Sequence, residues 1–194
     1  MAKVSLTLEE QRYLGDVARL AIMRELTEGT ANDVPPPPKE ATTLQESLGV
    51  FVTLTHNGLL RGCIGNMVGQ GPLYLTVTRM ACAAAFDDSR FPPLTKEEWL
   101  KTKLEISVLD PLTRCPDPEQ ITVGTHGLLL VRGGRSGVFL PQVPVEQHWD
   151  RLTYLRQLCG KAGLSSDSWK APDAELYWFE AFVFSPDQDT PDRA

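Results

Sequence analysis

A chain of 194 residues with a net charge of −6 is long enough to bury a core and too acidic for a large non-specific nucleic-acid surface. Its 42% hydrophobic and 23% charged content suits a globular protein without a membrane span, since no run approaches ~20 apolar residues. Cysteines at 63, 82, 115 and 159 lack C-x-x-C spacing and no signal-peptide apolar region follows Met1, so a reduced, cytoplasmic protein without a disulfide framework is expected.

Thr7-Leu8-Glu9-Glu10 predicts a capping box. Leu14, Val17, Ala18, Ala21 and Ile22 follow at helical spacing, giving one apolar stripe up to about Glu28-Gly29. Pro35-Pro36-Pro37-Pro38 predicts a stiff, extended connector. Residues 49–55 and 59–64 predict the arms of a hairpin, because Asn57-Gly58 tolerates the positive φ angles of a tight turn. Gly71-Pro72 opens a helix through about Phe86, whose small residues from Met80 to Ala85 allow close packing.

Residues 87–93 read as a turn, and Thr95-Lys96-Glu97-Glu98 begins a short helix. Residues 103–109 alternate, with Leu104, Ile106 and Val108 on one face and Glu105 and Ser107 on the other. A second hairpin is expected from 127–132 and 137–142 around Gly133-Gly134-Arg135-Ser136. A helix over 145–159 turns Trp149, Leu152, Leu155 and Leu158 inward, and 175–184 forms one aromatic strand. Residues 187–194 are polar and expected as a disordered tail, leaving 1–186 as one domain or two intimately packed subdomains. Hairpins interleaved with helices define an α+β class with a mainly antiparallel sheet.

The candidate site is Leu60-Arg61-Gly62-Cys63-Ile64-Gly65. Strand alternation puts Arg61 and Cys63 on one face, roughly 7 Å apart, while Gly62 and Gly65 admit a backbone or a ligand. Cationic surroundings lower a thiol's pKa, so Cys63 is a candidate nucleophile, with a small buried hydrophobe as the plainer alternative. A base in reach is then required, and His56 or His126 are the candidates. Arg61 suits a phosphate or carboxylate, or a salt bridge to Glu105 or Asp88. Glu105, inside an apolar strand, faces water or pairs with Arg61 or Arg90, general acid–base work being the lesser reading. Asp88, in a proline-bounded turn with Arg90, is suited to bonding nearby backbone N–H groups. No metal-ligand cluster and no dinucleotide or phosphate-loop fingerprint is present, so no metal or cofactor is expected.

The hexapeptide, with Asp88-Ser89-Arg90-Phe91-Pro92-Pro93, Leu104-Glu105-Ile106-Ser107-Val108-Leu109, His126-Gly127-Leu128, Leu140-Pro141-Gln142-Val143 and Leu158-Cys159-Gly160-Lys161-Ala162-Gly163-Leu164, resembles the AMMECR domain family, which includes protein A of the AmmeMemoRadiSam system. Ser89 departs from the proline expected there. The resemblance implies two unequal subdomains forming a groove. It also implies a place beside Memo-like and radical SAM proteins in a modification pathway acting on RNA or protein. The motif groove would then bind a partner or an anionic ligand through Arg61, Gly62, Gly65, Asp88 and Arg90. The alternatives are a cysteine-dependent enzyme using Cys63, Glu105 and His126, and an RNA-modification factor. The acidic balance argues against direct nucleic-acid binding.

Overall fold

The computed structural model describes residues 3–29 and 34–186. These form two units, one of the described residues within 4–109 together with 182–186, the other of Lys3 with Asp110–Ala181. Each contains a four-stranded antiparallel sheet, as the interleaved hairpins require. The expected tail at 187–194 lies outside the described residues.

The larger unit begins with helix α1 (Leu8–Glu28), where Thr7 and Glu10 complete both halves of the capping box and Gly29 ends the helix at φ 66°. Its stripe of Leu14, Val17, Ala18, Ala21 and Ile22 is buried. Strands β1 (Gly49–His56) and β2 (Leu59–Asn66) form the hairpin, with Asn57 at φ 51° and Gly58 at φ 79° in the turn. Helix α2 (Leu73–Phe86) follows, then α3 (Lys96–Trp99) and strand β3 (Thr102–Leu109). The sheet runs in the order β2-β1-β3-β8, where β8 is Ala181–Phe184. Val50, Val52, Leu54, Leu104, Ile106 and Val108 form one face, sealed with Leu14, Ile22, Val77 and Ala81 of the two helices into a single core. Full burial of such a side chain stabilises by about 2 kcal/mol, so this face fixes the register.

One irregularity interrupts β2. Leu54 pairs with Gly62 but Thr55 pairs with Leu60, which leaves Arg61 as an extra residue in a β-bulge. The bulge breaks the alternation on which a shared face for Arg61 and Cys63 depended.

The smaller unit carries the sheet β4-β7-β5-β6, from Thr113–Arg114, Glu175–Phe179, Gly127–Arg132 and Arg135–Phe139. The second hairpin is tighter than expected. Gly133 and Gly134, at φ 56° and 75°, make the whole turn, so Arg132 pairs with Arg135 and the strand starts there. The helix expected over 145–159 is two helices, α4 (Gln142–Glu146) and α5 (Arg151–Lys161). His148 at φ 55° breaks the run, and Asp150 caps α5 by accepting the Thr153 N–H at 2.7 Å. That phase change leaves Leu152 exposed and brings Tyr154, Leu155, Leu158 and Cys159 inward. α5 ends where Gly163 N–H reaches the Gly160 carbonyl and Leu164 N–H the Cys159 carbonyl, a Schellman close with Gly163 at φ 68°. The expected single strand over 175–184 divides at Glu180 into β7 and β8, which belong to different sheets.

Candidate functional site

β2 has a neighbour on one side only, and an edge strand leaves alternate N–H and C=O groups without ladder partners. At Cys63 both are satisfied by side chains. Its N–H donates to Asp88 Oδ2 at 2.9 Å, and its carbonyl accepts from Arg90 Nη2 at 3.2 Å. Arg90 grips the same carboxylate in a fork, Nε to Oδ1 at 2.9 Å and Nη2 to Oδ2 at 2.6 Å. Asp88 Oδ1 also accepts the Arg90 N–H at 3.2 Å, the local turn bond expected of that aspartate. The Arg90 guanidinium and these backbone donors hold the Asp88 carboxyl well below the usual carboxylate range, against the opposing effect of burial. Asp88 is buried, whereas the Arg90 side chain is 53% exposed.

Because the N–H and C=O of Cys63 point away from β1, it meets Thr53 as a non-hydrogen-bonded pair, the closer kind for side chains. Thr53 donates its hydroxyl to Cys63 Sγ at 3.3 Å. Thr53 also lies opposite Glu105 on β3. Cys63, Thr53 and Glu105 therefore make a cross-strand row of thiol, hydroxyl and carboxylate, all partly buried, on the sheet face opposite Leu54 and the helices.

Arg61 takes other partners. Its Nε and Nη2 hold Glu98 at 3.0 and 2.9 Å, Nη2 also donates to the Pro92 carbonyl at 2.8 Å, and the residue is 8% exposed. The partner expected as Glu105 or Asp88 is thus Glu98. This same carboxylate closes the α3 capping box by accepting the Thr95 N–H at 3.0 Å, and Arg61 draws its pKa down to about 2. Phe91 lies near both guanidinium groups, 5.8 Å from that of Arg61 and 5.5 Å from that of Arg90. The cation beside Cys63 is Arg90.

The glycines admit the protein itself. A Cβ on Gly62 would stand 2.0 Å from the Ala84 carbonyl oxygen of α2, and one on Gly65 would enter the Phe51 ring. His56 shares the face of Leu54 rather than that of Cys63, its Nδ1 buried without a partner among the described residues. His126 belongs to the smaller unit, where Nδ1 accepts the Thr122 N–H at 3.0 Å and the ring lies 4.3 Å from Trp178. Burial pushes the Cys82 thiol up to about 12 and raises those of Cys115 and Cys159. Among the described residues no three His, Cys, Asp or Glu side chains gather as a metal set, and no helix is long and apolar enough to cross a membrane.

The AMMECR1 family profile matches residues 16–184, nearly the whole described chain. The chain belongs to the AMMECR1 family. Protein MK0488 of Methanopyrus kandleri is 43% identical over 192 residues, covering 94% of this chain and 91% of that protein. Protein TK0174 of Thermococcus kodakarensis is 44% identical over 161 residues, covering 78% of each. The crystal structure of the uncharacterized protein PH0010 from Pyrococcus horikoshii has the same fold, with a TM-score of 0.83, 38% identity and 90% coverage of both chains.

The sequence singles out Cys63, Asp88, Arg90 and Arg61, the first three of which meet at the β2 edge, and it assigns no site role to Thr53, Phe91 or Glu98. Glu98 carried one usable signal, its place three residues after Thr95. Its bond to a residue 37 positions earlier carried none.

Proposed function

We propose that this AMMECR1-family chain is a component of a Memo- and radical-SAM-linked modification pathway, and that it engages an anionic ligand or an anionic group of a partner protein at the β2 edge through Arg90. The pathway rests on the family resemblance. The site rests on one observation: Asp88 and the Cys63 carbonyl fix the Arg90 guanidinium, whose second Nη has no protein partner among the described residues. A planar cation held in advance loses little freedom on binding phosphate or carboxylate. Titration with inorganic phosphate, followed at the Cys63 and Arg90 amides by NMR, is expected to give saturable shifts. Arg90→Ala weakens them about 10-fold, equivalent to the ~1.4 kcal/mol of one charge-assisted bond. A Memo-like or radical SAM protein is expected to co-purify with the wild-type chain and not with that variant. Absence of both responses removes the proposal.

The row Cys63–Thr53–Glu105 favours a second reading, in which Cys63 is a nucleophile and Glu105 moves the proton. Iodoacetamide is then expected to alkylate Cys63 before Cys82, whose thiol burial holds up at about 12. Labelling of Cys63 no faster than Cys82 ends that reading. Any action on RNA would come through a partner, and low-salt filter binding by the chain alone is expected to be negative.

A further inference from the structure

The smaller unit contains a cleft of about 220 Å³ bordered by Asp110, Thr113, His126, Trp178 and Glu180, with no lysine or arginine in its lining. Backbone bonds fix its walls. Asp110 N–H donates to the Glu180 carbonyl at 3.0 Å, and Thr113 on β4 pairs with Trp178 on β7. Gly127 lies opposite Phe179, whose ring takes the place of a Cβ there. His126 lies against Trp178, so an imidazole and an indole together give the cleft an aromatic wall. Burial holds the His126 pKa below its ordinary range, which keeps this wall uncharged at neutral pH.

Two carboxylates beside an aromatic wall suit a cation, and the protein already sets an ammonium against one of them. Lys3 Nζ lies 2.5 Å from Glu180 Oε2, with Asp110 adding to the attraction. The Lys3 side chain is 69% exposed, so the pair is a surface ion pair of small net worth that an incoming ligand can displace. We propose that this cleft binds a primary ammonium group carried on an apolar stem, and that Lys3 is its tethered internal occupant. The ammonium bonds Glu180 and faces Asp110, while the stem packs on the His126–Trp178 wall. The cleft is smaller than the ~300 Å³ at which drug-sized sites begin, which limits the ligand to about the size of a lysyl side chain. That chemistry comes from a free aliphatic amine or from a lysine on another chain.

The test is NMR of the full chain, read at the Trp178 indole N–H and the His126 ring. The probes are n-butylamine, a blocked Gly-Lys-Gly peptide, and n-butanol as the uncharged isostere. Because a tethered group competes at an effective concentration on the order of mM, Lys3→Met is expected to tighten amine binding several-fold. Glu180→Gln is expected to weaken it about 10-fold in either background, and n-butanol gives no saturable shift. Response to the amine alone assigns a small metabolite, response to the peptide assigns a lysyl side chain, and either result supports the site. No saturable shift in the Lys3→Met variant with either charged probe, or an equal response to n-butanol, overturns it. Arg90→Ala leaves these shifts intact, so the outcome is independent of the site on β2.

Discussion

In the larger unit β2, β1 and β3 lie side by side, and α2 packs across β1 and β2. In the smaller unit β6, β5 and β7 repeat that order, and α5 rests on β6. Both helices settle against a glycine of the second hairpin strand, Gly62 opposite Leu54 and Gly137 opposite Leu130. A Cβ on Gly62 would stand 2.0 Å from the Ala84 carbonyl oxygen, and one on Gly137 would stand 2.8 Å from the Leu158 oxygen and the Ala162 nitrogen. The units part company along that strand. β6 pairs with β5 in unbroken register, whereas β2 bulges at Arg61 and has its outer edge closed at Cys63 by Asp88 and Arg90. One packing solution thus serves two sheets, and among the described residues the β2 edge is the one closed at a cysteine by an Asp–Arg pair.

The largest effect that bears on this comparison is expected from Gly62→Ala. Backbone has to move in both helices, but the shorter approach at Gly62 sets a cost of about 3 kcal/mol against about 1–2 kcal/mol for Gly137→Ala. Urea unfolding followed by circular dichroism measures both, and the reverse order would break the parallel. Next comes Asp88→Ala, which leaves the Cys63 N–H and Arg90 without their carboxylate. Arg90 recovers water at its exposed side, so about 2 kcal/mol is expected rather than the larger loss of a fully buried pair.

Acid sharpens the same contrast. Asp88 and Glu98 have folded pKa values below their unfolded ones, so their contribution is fully present above about pH 5 and is lost as pH falls through the folded values. Stability is expected to decline from about pH 5 toward pH 2, less steeply in Asp88→Ala. A wild-type profile that is flat across that interval would count against the clamp. The smallest effect is expected from Asp150→Ala, which removes the α5 cap at a cost of about 1 kcal/mol and leaves the phosphate response at Arg90 unchanged.

What could be read in advance was local. Thr7 with Glu10, Thr95 with Glu98, Asn57-Gly58 and the apolar stripe of α1 each carry their geometry within a few residues, and each element formed where expected. The α+β class followed from them. The break at His148 was hidden because apolar residues continue at near-helical spacing across it, and a positive φ at histidine has no strong sequence mark. The division at Glu180 was hidden because both halves of the run are aromatic and strand-forming. At the site, Asp88 with Arg90 was legible as a turn pair, and Cys63 as a thiol between glycines, either nucleophile or small buried hydrophobe. The bulge was not, since a register shift beside a glycine that meets a helix carbonyl more than 20 residues away has no local mark, and with it went the partner of Arg61.

The division of the last run into β7 and β8 bears on how the protein emerges from the ribosome. Residues 110–181 are a nested insertion, and β8, which covers the side of β3 away from β1, is translated only after it. At about 5–20 residues per second, β3 waits roughly 4–15 s with an unpaired border after its own synthesis. During that interval the nascent chain presents a strand flank open to other chains, and the arrival of Ala181–Phe184 is the step that withdraws it.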